Sequence, residues 1–260
     1  MAQFLSAADA MEALHLPPST FYRYVRDGKI KKHFPTPVSK HGIYDAVEIA
    51  RLKKQLRLEE RPPLVGDTDW VKLSDLGNIY NLEFGVYGDE TGDPSIIKDW
   101  YVRNPTMCRL LFNKKDRTDL WGALNMVPLA EEVIYKLLKD EIRDVDLVPE
   151  QDILTYTDPG VFNLYVASII IRPERTLHLK LLIDSVFDFW CGLAPDRQIG
   201  KIYGRVVTDN GEMLAKKLYF SPIWYVSDTA WMLDVSRPNP SKIVQSFQEC
   251  IKEKVKEADE

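Results

Sequence analysis

The sequence has no run of about 18 consecutive apolar residues, the length a helix needs to cross a bilayer, so no segment reads as membrane-spanning. Its first residues, MAQFLSAADAM, lack a basic start and an apolar signal core. That argues against export and for a cytoplasmic protein. Cysteine is scarce: Cys108, Cys191 and Cys250 form neither a CxxC pair nor a metal-ligand spacing. They are expected as buried free thiols in a reducing compartment. No His/Glu metal motif, P-loop or Ser-His-Asp pattern occurs, so no metal ligand and no catalytic residue is assigned.

What is there is ordinary globular composition: 260 residues, 45% hydrophobic and 28% charged. That is enough for one or two domains. The net charge of -5 is unevenly spread. Residues 1–61 hold eleven Lys/Arg against seven Asp/Glu, a net +4 that leaves -9 for the rest. A cationic head attracts polyanions, and an acidic body repels them.

In the head, LSAADAMEALHL has Ala7, Ala10, Met11 and Leu14 at helical spacing behind Ser6, an N-cap residue type. Pro17-Pro18 ends that helix. A second helix is expected over STFYRYVRDGKI, with Ser19 and Thr20 at its start and Phe21, Tyr24 and Val25 on one face. Tyr22, Arg23 and Arg26 point away from that face. Asp27-Gly28 ends the helix. The prolines and glycine of KIKKHFPTPVSKHGIY exclude a helix and fit a short two-stranded wing. DAVEIARLKKQLRL follows as a helix capped by Asp45, with Val47, Ile49, Leu52 and Leu56 expected inside.

LSAADA, STFYRYVRDGKI and IYDAVEIARL resemble the MerR and excisionase class of winged helix-turn-helix domains over about 55 residues. The resemblance implies duplex DNA as partner. It makes Ser19, Thr20, Tyr22, Arg23 and Arg26 face bases or phosphates, with Lys31, Lys32, Lys40 and His41 as wing contacts. Leu16-Pro17-Pro18 departs from the usual glycine-containing turn, which leaves the angle of the second helix open. Independently of the family, Lys and Arg neutralise phosphates and release counterions. Arg also pairs with guanine. The plain alternative is a solvated basic face on a small helical domain.

RLEERPPLVGDTDW reads as a linker, and only Leu52, Leu56 and Leu58 precede Pro62, too few for a sustained coiled coil. From Trp70 the pattern alternates. VKLSDLGNIYNLEFGVYG is expected to start as a strand and become a helix capped by Ser74 or Asp75, and further helices are expected within SIIKDWYVRNP, LAEEVIYKLLKDEI, LHLKLLIDSVFDFWCGL and GEMLAKKLYF. Strands are expected in MCRLLFN, LWGALNMV, FNLYVASIII, IGKIYGRVVT, SPIWYV and TAWMLDV. The near-continuous apolar run FNLYVASIII suits the centre of a sheet. The expected organisation is an α+β chain. Residues 1–60 form the winged head, 61–69 a linker, 70–236 a mixed central sheet flanked by helices, and 237–260 an amphipathic tail helix.

LWGALNMVPL, YVASIIIRPE, the helix from Leu177 and VTDNGEMLAKKLYFSPI resemble the GNAT acetyltransferase fold. The family's pyrophosphate turn runs Arg/Gln-x-x-Gly-x-Gly/Ala. Here Arg175 takes the first place, and His178 and Lys180 take the two glycine places. In the family's Leu-Tyr-x-Lys-Leu-Gly-Phe pattern the tyrosine is the general acid. Here Ala215 stands in its place and Tyr219 stands where the glycine should be. The resemblance therefore implies an acetyltransferase shape without its reacting groups, and no required cofactor. The basic helix start of Arg172, Arg175, His178 and Lys180 remains a candidate for an anionic, CoA-like ligand.

Glu83, Asp89, Glu90 and Asp93 read as a solvated acidic loop, with amine binding as the alternative. The reading that combines these parts is a DNA-binding transcriptional regulator, a homodimer on two half-sites, whose body serves ligand sensing or dimerisation. Its rivals are an acetyl-CoA-dependent N-acetyltransferase with a DNA-binding head and a protein-interaction module.

Overall fold

The computed structural model describes residues 4–14, 16–34, 42–59, 65–88 and 93–259, and their side chains apart from 54–59 and 259. The chain divides into two compact units, Met1–Leu64 and Val65–Glu260.

In the first unit, α1 (Ala7–Leu14) is opened by a reciprocal cap: the Asp9 amide donates to Ser6 Oγ at 3.2 Å and the Ser6 hydroxyl donates to Asp9 at 2.8 Å. Helix α2 (Pro18–Arg26) starts earlier than the sequence suggested. Pro17 is its N-cap and Pro18 lies in its first turn, so the residues that stop α1 also start α2. Ser19 and Thr20 consequently lie inside α2 and do not cap it. Gly28, at φ +73°, takes the left-handed turn that ends it. The strand β1 (Phe4–Leu5) pairs antiparallel with β2 (Tyr44–Asp45). His33 and Ile43 form a single antiparallel bridge. Asp45 caps α3 (Ala46–Glu59) by accepting from the Val47 amide at 2.7 Å. Ala10, Leu14, Phe21, Ile30, Tyr44 and Ile49 make the small core. Val47, expected inside, is exposed: it sits in the first turn of α3, on the side away from Ile49.

The second unit is built on a seven-stranded mixed sheet in the order β3-β4-β5-β6-β7-β9-β8. These strands are β3 (Gly66–Trp70), β4 (Cys108–Asn113), β5 (Asp116–Leu129), β6 (Gly160–Ile171), β7 (Arg197–Arg205), β8 (Ser221–Pro222) and β9 (Ala230–Asp234). All neighbours run antiparallel except β6 and β7. β3 begins at Gly66, inside the stretch the sequence read as linker. β8 is shorter than expected because the chain turns at residues 224–226, where the Val226 amide donates to Ile223 O at 2.8 Å.

One face of the sheet carries α4 (Leu76–Tyr87), α5 (Pro94–Arg103) and α6 (Glu131–Leu138) over a core that includes Ile79, Trp100, Leu110, Val127, Ile134 and Tyr165. A four-residue helix, α7 (Pro149–Asp152), follows. The other layer is α8 (Leu179–Leu193), which packs on β3, β4, β5 and β7 and buries Leu182, Val186, Phe187 and Trp190. After β7 comes α9 (Asp209–Lys217), capped by Thr208. The tail helix α10 (Lys242–Asp259) packs on α8, its Phe247 ring stacked on Phe187 at 4.7 Å.

The cysteine expectation is corrected here. Cys108 is a buried free thiol, but Cys191 of α8 and Cys250 of α10 are disulfide-bonded. Fifty-nine residues separate them in sequence, so spacing gave no sign of the pair. No helix among the described residues is long and apolar enough to cross a membrane.

Candidate functional site

In the first unit, α2 presents Ser19, Thr20, Tyr22, Arg23 and Arg26 around one open depression. Phe21, fully buried against Tyr44, fixes the opposite side of the helix, so the polar residues have no choice but to face outward. The helix contains no acidic residue. Arg26 lies 3.5 Å from the exposed Asp27, a solvated pair that leaves its charge available. Lys31 is exposed, 3.9 Å from Glu48, and Lys32 lies over the Phe34 ring. Lys40 and His41, the other expected wing contacts, fall outside the described residues.

In the second unit, β6 and β7 run side by side only as far as the Val166–Gly204 pair. Beyond it, Ser168 to Ile171 of β6 pair with β5 alone, so the two parallel strands part. A bulge lies at the same place: Asn125 faces Ser168 while its neighbour Met126 faces Val166, which leaves Ala167 as the extra residue. A bulge resets the alternation of side chains along a strand. Here it brings Ser168 onto the α4 side of the sheet, where Tyr165 also packs.

Glu83 meets that bulge from α4. It was read as part of a solvated acidic loop, but only 8% of it is exposed. Helical spacing puts Glu83 one turn after Ile79, on the buried face. Asn125 Nδ2 donates to its carboxylate at 2.8 Å, and the Ser168 hydroxyl does so at 3.5 Å. Burial pushes the Glu83 carboxyl above its ordinary range, against the pull of those two hydrogen bonds, and Asp144 raises it further. Asp93 instead caps α5, and Asp89 and Glu90 fall outside the described residues. An open cleft runs between α4 and the end of β6, lined among others by Asn78, Asn81, Val86 and Arg172.

The turn after β6 is closed. Pro173–His178 is wound as a 3-10 helix running straight into α8. Its amides turn back onto the chain: Arg175 N–H donates to Arg172 O, and Leu179 N–H to Thr176 O. The four basic side chains are engaged as well. Arg172 pairs with Asp119 at 3.2 Å, and Arg175 lies over the Trp121 ring at 4.6 Å. His178 packs edge-on against Trp121, so close to β3 that a Cβ on Gly66 would come within 3.1 Å of its ring. Lys180 pairs with Asp184. This turn does not fit a pyrophosphate, which needs outward-pointing amides and backbone at close range.

Comparison with known proteins gives likeness of fold only. No family model and no curated protein matches the sequence. Among solved structures, Arabidopsis thaliana NAA60 in complex with acetyl-CoA aligns at a TM-score of 0.43 and 13% identity, over 65% of this chain and 99% of that one. Ard1 from Thermoplasma volcanium aligns at 0.42 and 12%, over 64% and 94%. The C-terminal condensation domain of Ebony in complex with beta-alanyl-dopamine aligns at 0.43 and 9%, over 66% and 99%.

Ala215, which the sequence resemblance set in the place of an acid, is buried and has no ionisable group. Tyr219 does sit where a glycine belongs: its φ is +58°. Sequence reasoning missed the burial of Glu83. The missing signal was tertiary, since only strand pairing shows that Asn125 and Ser168 are opposite one another.

Proposed function

We propose that this chain is a DNA-binding protein whose head is a winged helix-turn-helix and whose C-terminal unit is a ligand-binding body of acetyltransferase-like shape. The observation that carries this reading is the α2 face. Arg23, Arg26, Ser19, Thr20 and Tyr22 are displayed together on a helix that contains no acid and is anchored from behind by Phe21. Such a helix enters a major groove, where arginine reads guanine and hydroxyls contact several bases. A single small head makes few base contacts, so a homodimer on paired half-sites fits this reading.

The test is duplex binding by the full chain, followed by fluorescence anisotropy across salt concentrations. Arg23→Ala with Arg26→Ala is expected to lower affinity at least about tenfold and to flatten the slope of log K against log salt by roughly 2. Unchanged binding removes the assignment of α2. A wild-type chain that ignores duplex DNA in dilute buffer favours a protein-interaction module.

A second reading is acyl transfer in the body, favoured by the buried Glu83 beside the parting of β6 and β7. A carboxylate with a raised pKa suits removal of a proton from an acceptor. The closed turn and Ala215 weigh against it. Thiol release from acetyl-CoA that disappears in Glu83→Gln would establish this reading. In its absence, and with little thermal stabilisation by micromolar CoA, the body is not an acetyltransferase.

A further inference from the structure

Helix α10 runs parallel to α8. Phe247 stacks on Phe187, and about one turn further along both helices Cys250 is bonded to Cys191. Beyond that bond the helices differ in length. α8 ends at Leu193, two residues after Cys191, whereas α10 continues for nine residues after Cys250, to Asp259. Nine helical residues are about 13 Å long, so most of this segment extends past the end of α8. Its exposure agrees: no residue of 251–258 is buried, and only Ile251, Lys254 and Val255 are partly covered. The buried attachments of α10 come earlier. Val244 and Phe247 are buried, and the Gln248 side chain donates to Val235 O at 2.8 Å and to Arg237 O at 2.6 Å. The disulfide therefore fixes the helix at the point where packing stops doing so.

The two sulfurs are unequally accessible. Cys191 is 5% exposed and follows the buried Trp190, whereas Cys250 is only partly covered. Cys108 is buried in the core on the opposite face of the sheet, where burial pushes its thiol up, so it supplies no nucleophile of the chain's own. A reductant must come from solution and meet Cys250 first, because exchange depends on access to the sulfur attacked.

We propose that the Cys191–Cys250 bond is a thiol-exchange switch: a dithiol opens it in the folded protein by attack at Cys250, and opening releases the end of α10 while the rest of the helix stays docked. A thiolate of the dithiol forms a bond to Cys250 Sγ. The Cys191–Cys250 bond breaks, and Cys191 leaves with the electron pair and takes up a proton. The dithiol's second sulfur then displaces Cys250, which takes up the second proton. Two electrons and two protons pass from the dithiol, which ends as a disulfide, to the two cysteines. The last attachment of α10 moves back from Cys250 to Phe247 and Gln248. The segment beyond is too short to hold as an isolated helix, so it frays. This inference is independent of what either unit binds.

The test uses the full chain in native buffer at neutral pH, with dithiothreitol as the dithiol and iodoacetamide to tag thiols for mass spectrometry. Cys250 is expected to be tagged well before Cys191. Hydrogen exchange is then compared between the oxidised and reduced wild type, which requires no variant to fold. Amides of 250–255 are expected to exchange at least about tenfold faster after reduction, and those of 244–247 at the same rate as before. Cys250→Ser is expected to match the reduced protein. A bond that opens only when urea is added overturns the proposal, as does earlier tagging of Cys191. It is equally overturned if exchange at 250–255 is unchanged, or if the whole of α10 loses protection together.

Discussion

Tyr219 holds a left-handed backbone at the end of α9, with φ +58°. The Phe220 amide bonds back to Ala215 O and the Tyr219 amide to Lys216 O, the pattern in which glycine usually ends a helix. A side chain in that conformation costs about 1 kcal/mol, and Tyr219 is 52% exposed, so it regains little by packing. Tyr219→Gly is therefore expected to raise the melting temperature of the second unit by roughly 2–4 °C, read by calorimetry. Glu83 is the opposite case, a residue whose burial opposes its own charge. Its folded-state pKa lies above the ordinary 4.5, so between those two values the folded chain holds more protons than the unfolded one. Stability then falls as pH rises through that window, and the loss persists above it. Glu83→Gln should remove this fall and leave the variant more stable than wild type at neutral pH. Thermal melts over roughly pH 4–8 decide it, and parallel curves for the two proteins would contradict it.

At the scale of elements, α10 is held to α8 by one covalent bond and one aromatic cluster. Phe247 stacks on Phe187 and lies near Trp190, while Cys250 is bonded to Cys191 one helical turn further on. Closing a loop of 59 residues removes unfolded-state entropy, worth roughly 4 kcal/mol in the chain-entropy model. Cys250→Ser should lower the urea midpoint accordingly. Reductant should bring the wild type down to the variant's midpoint and leave the variant where it is. The amphipathic pattern of α10 was plain in the sequence; which surface it covers was not. The same holds for β6. Its apolar run marks a central strand, but the bulge at Ala167 and the departure from β7 exist only in the pairing.

On the scale of the whole molecule, two units of unequal size carry separate cores. The first is small, and among its described residues six buried hydrophobic ones form the core, a marginal core for a unit of its length. All six tryptophans, from Trp70 to Trp231, lie in the second unit. Heating is expected to give a far-ultraviolet circular dichroism transition that begins before the tryptophan fluorescence changes, because α1, α2 and α3 melt first. Coincident transitions would show that the two units unfold as one.

The basic helix of the head was legible because its signals are local. Paired prolines, a buried Phe21 and a glycine stop dictate where α2 runs and which side chains point outward, whatever the rest of the chain does. The central sheet was legible for a similar reason, since strand and helix periodicities are set by neighbours in sequence. Everything that depends on residues far apart waited for the tertiary structure. Cys191 meets Cys250 across 59 residues, Glu83 meets Asn125 and Ser168 across two strands, and the basic turn at Arg172–Lys180 is spent on Asp119, Trp121 and Asp184. Local free energies choose the elements and their faces; only packing decides which charges find partners and which are left to meet a ligand.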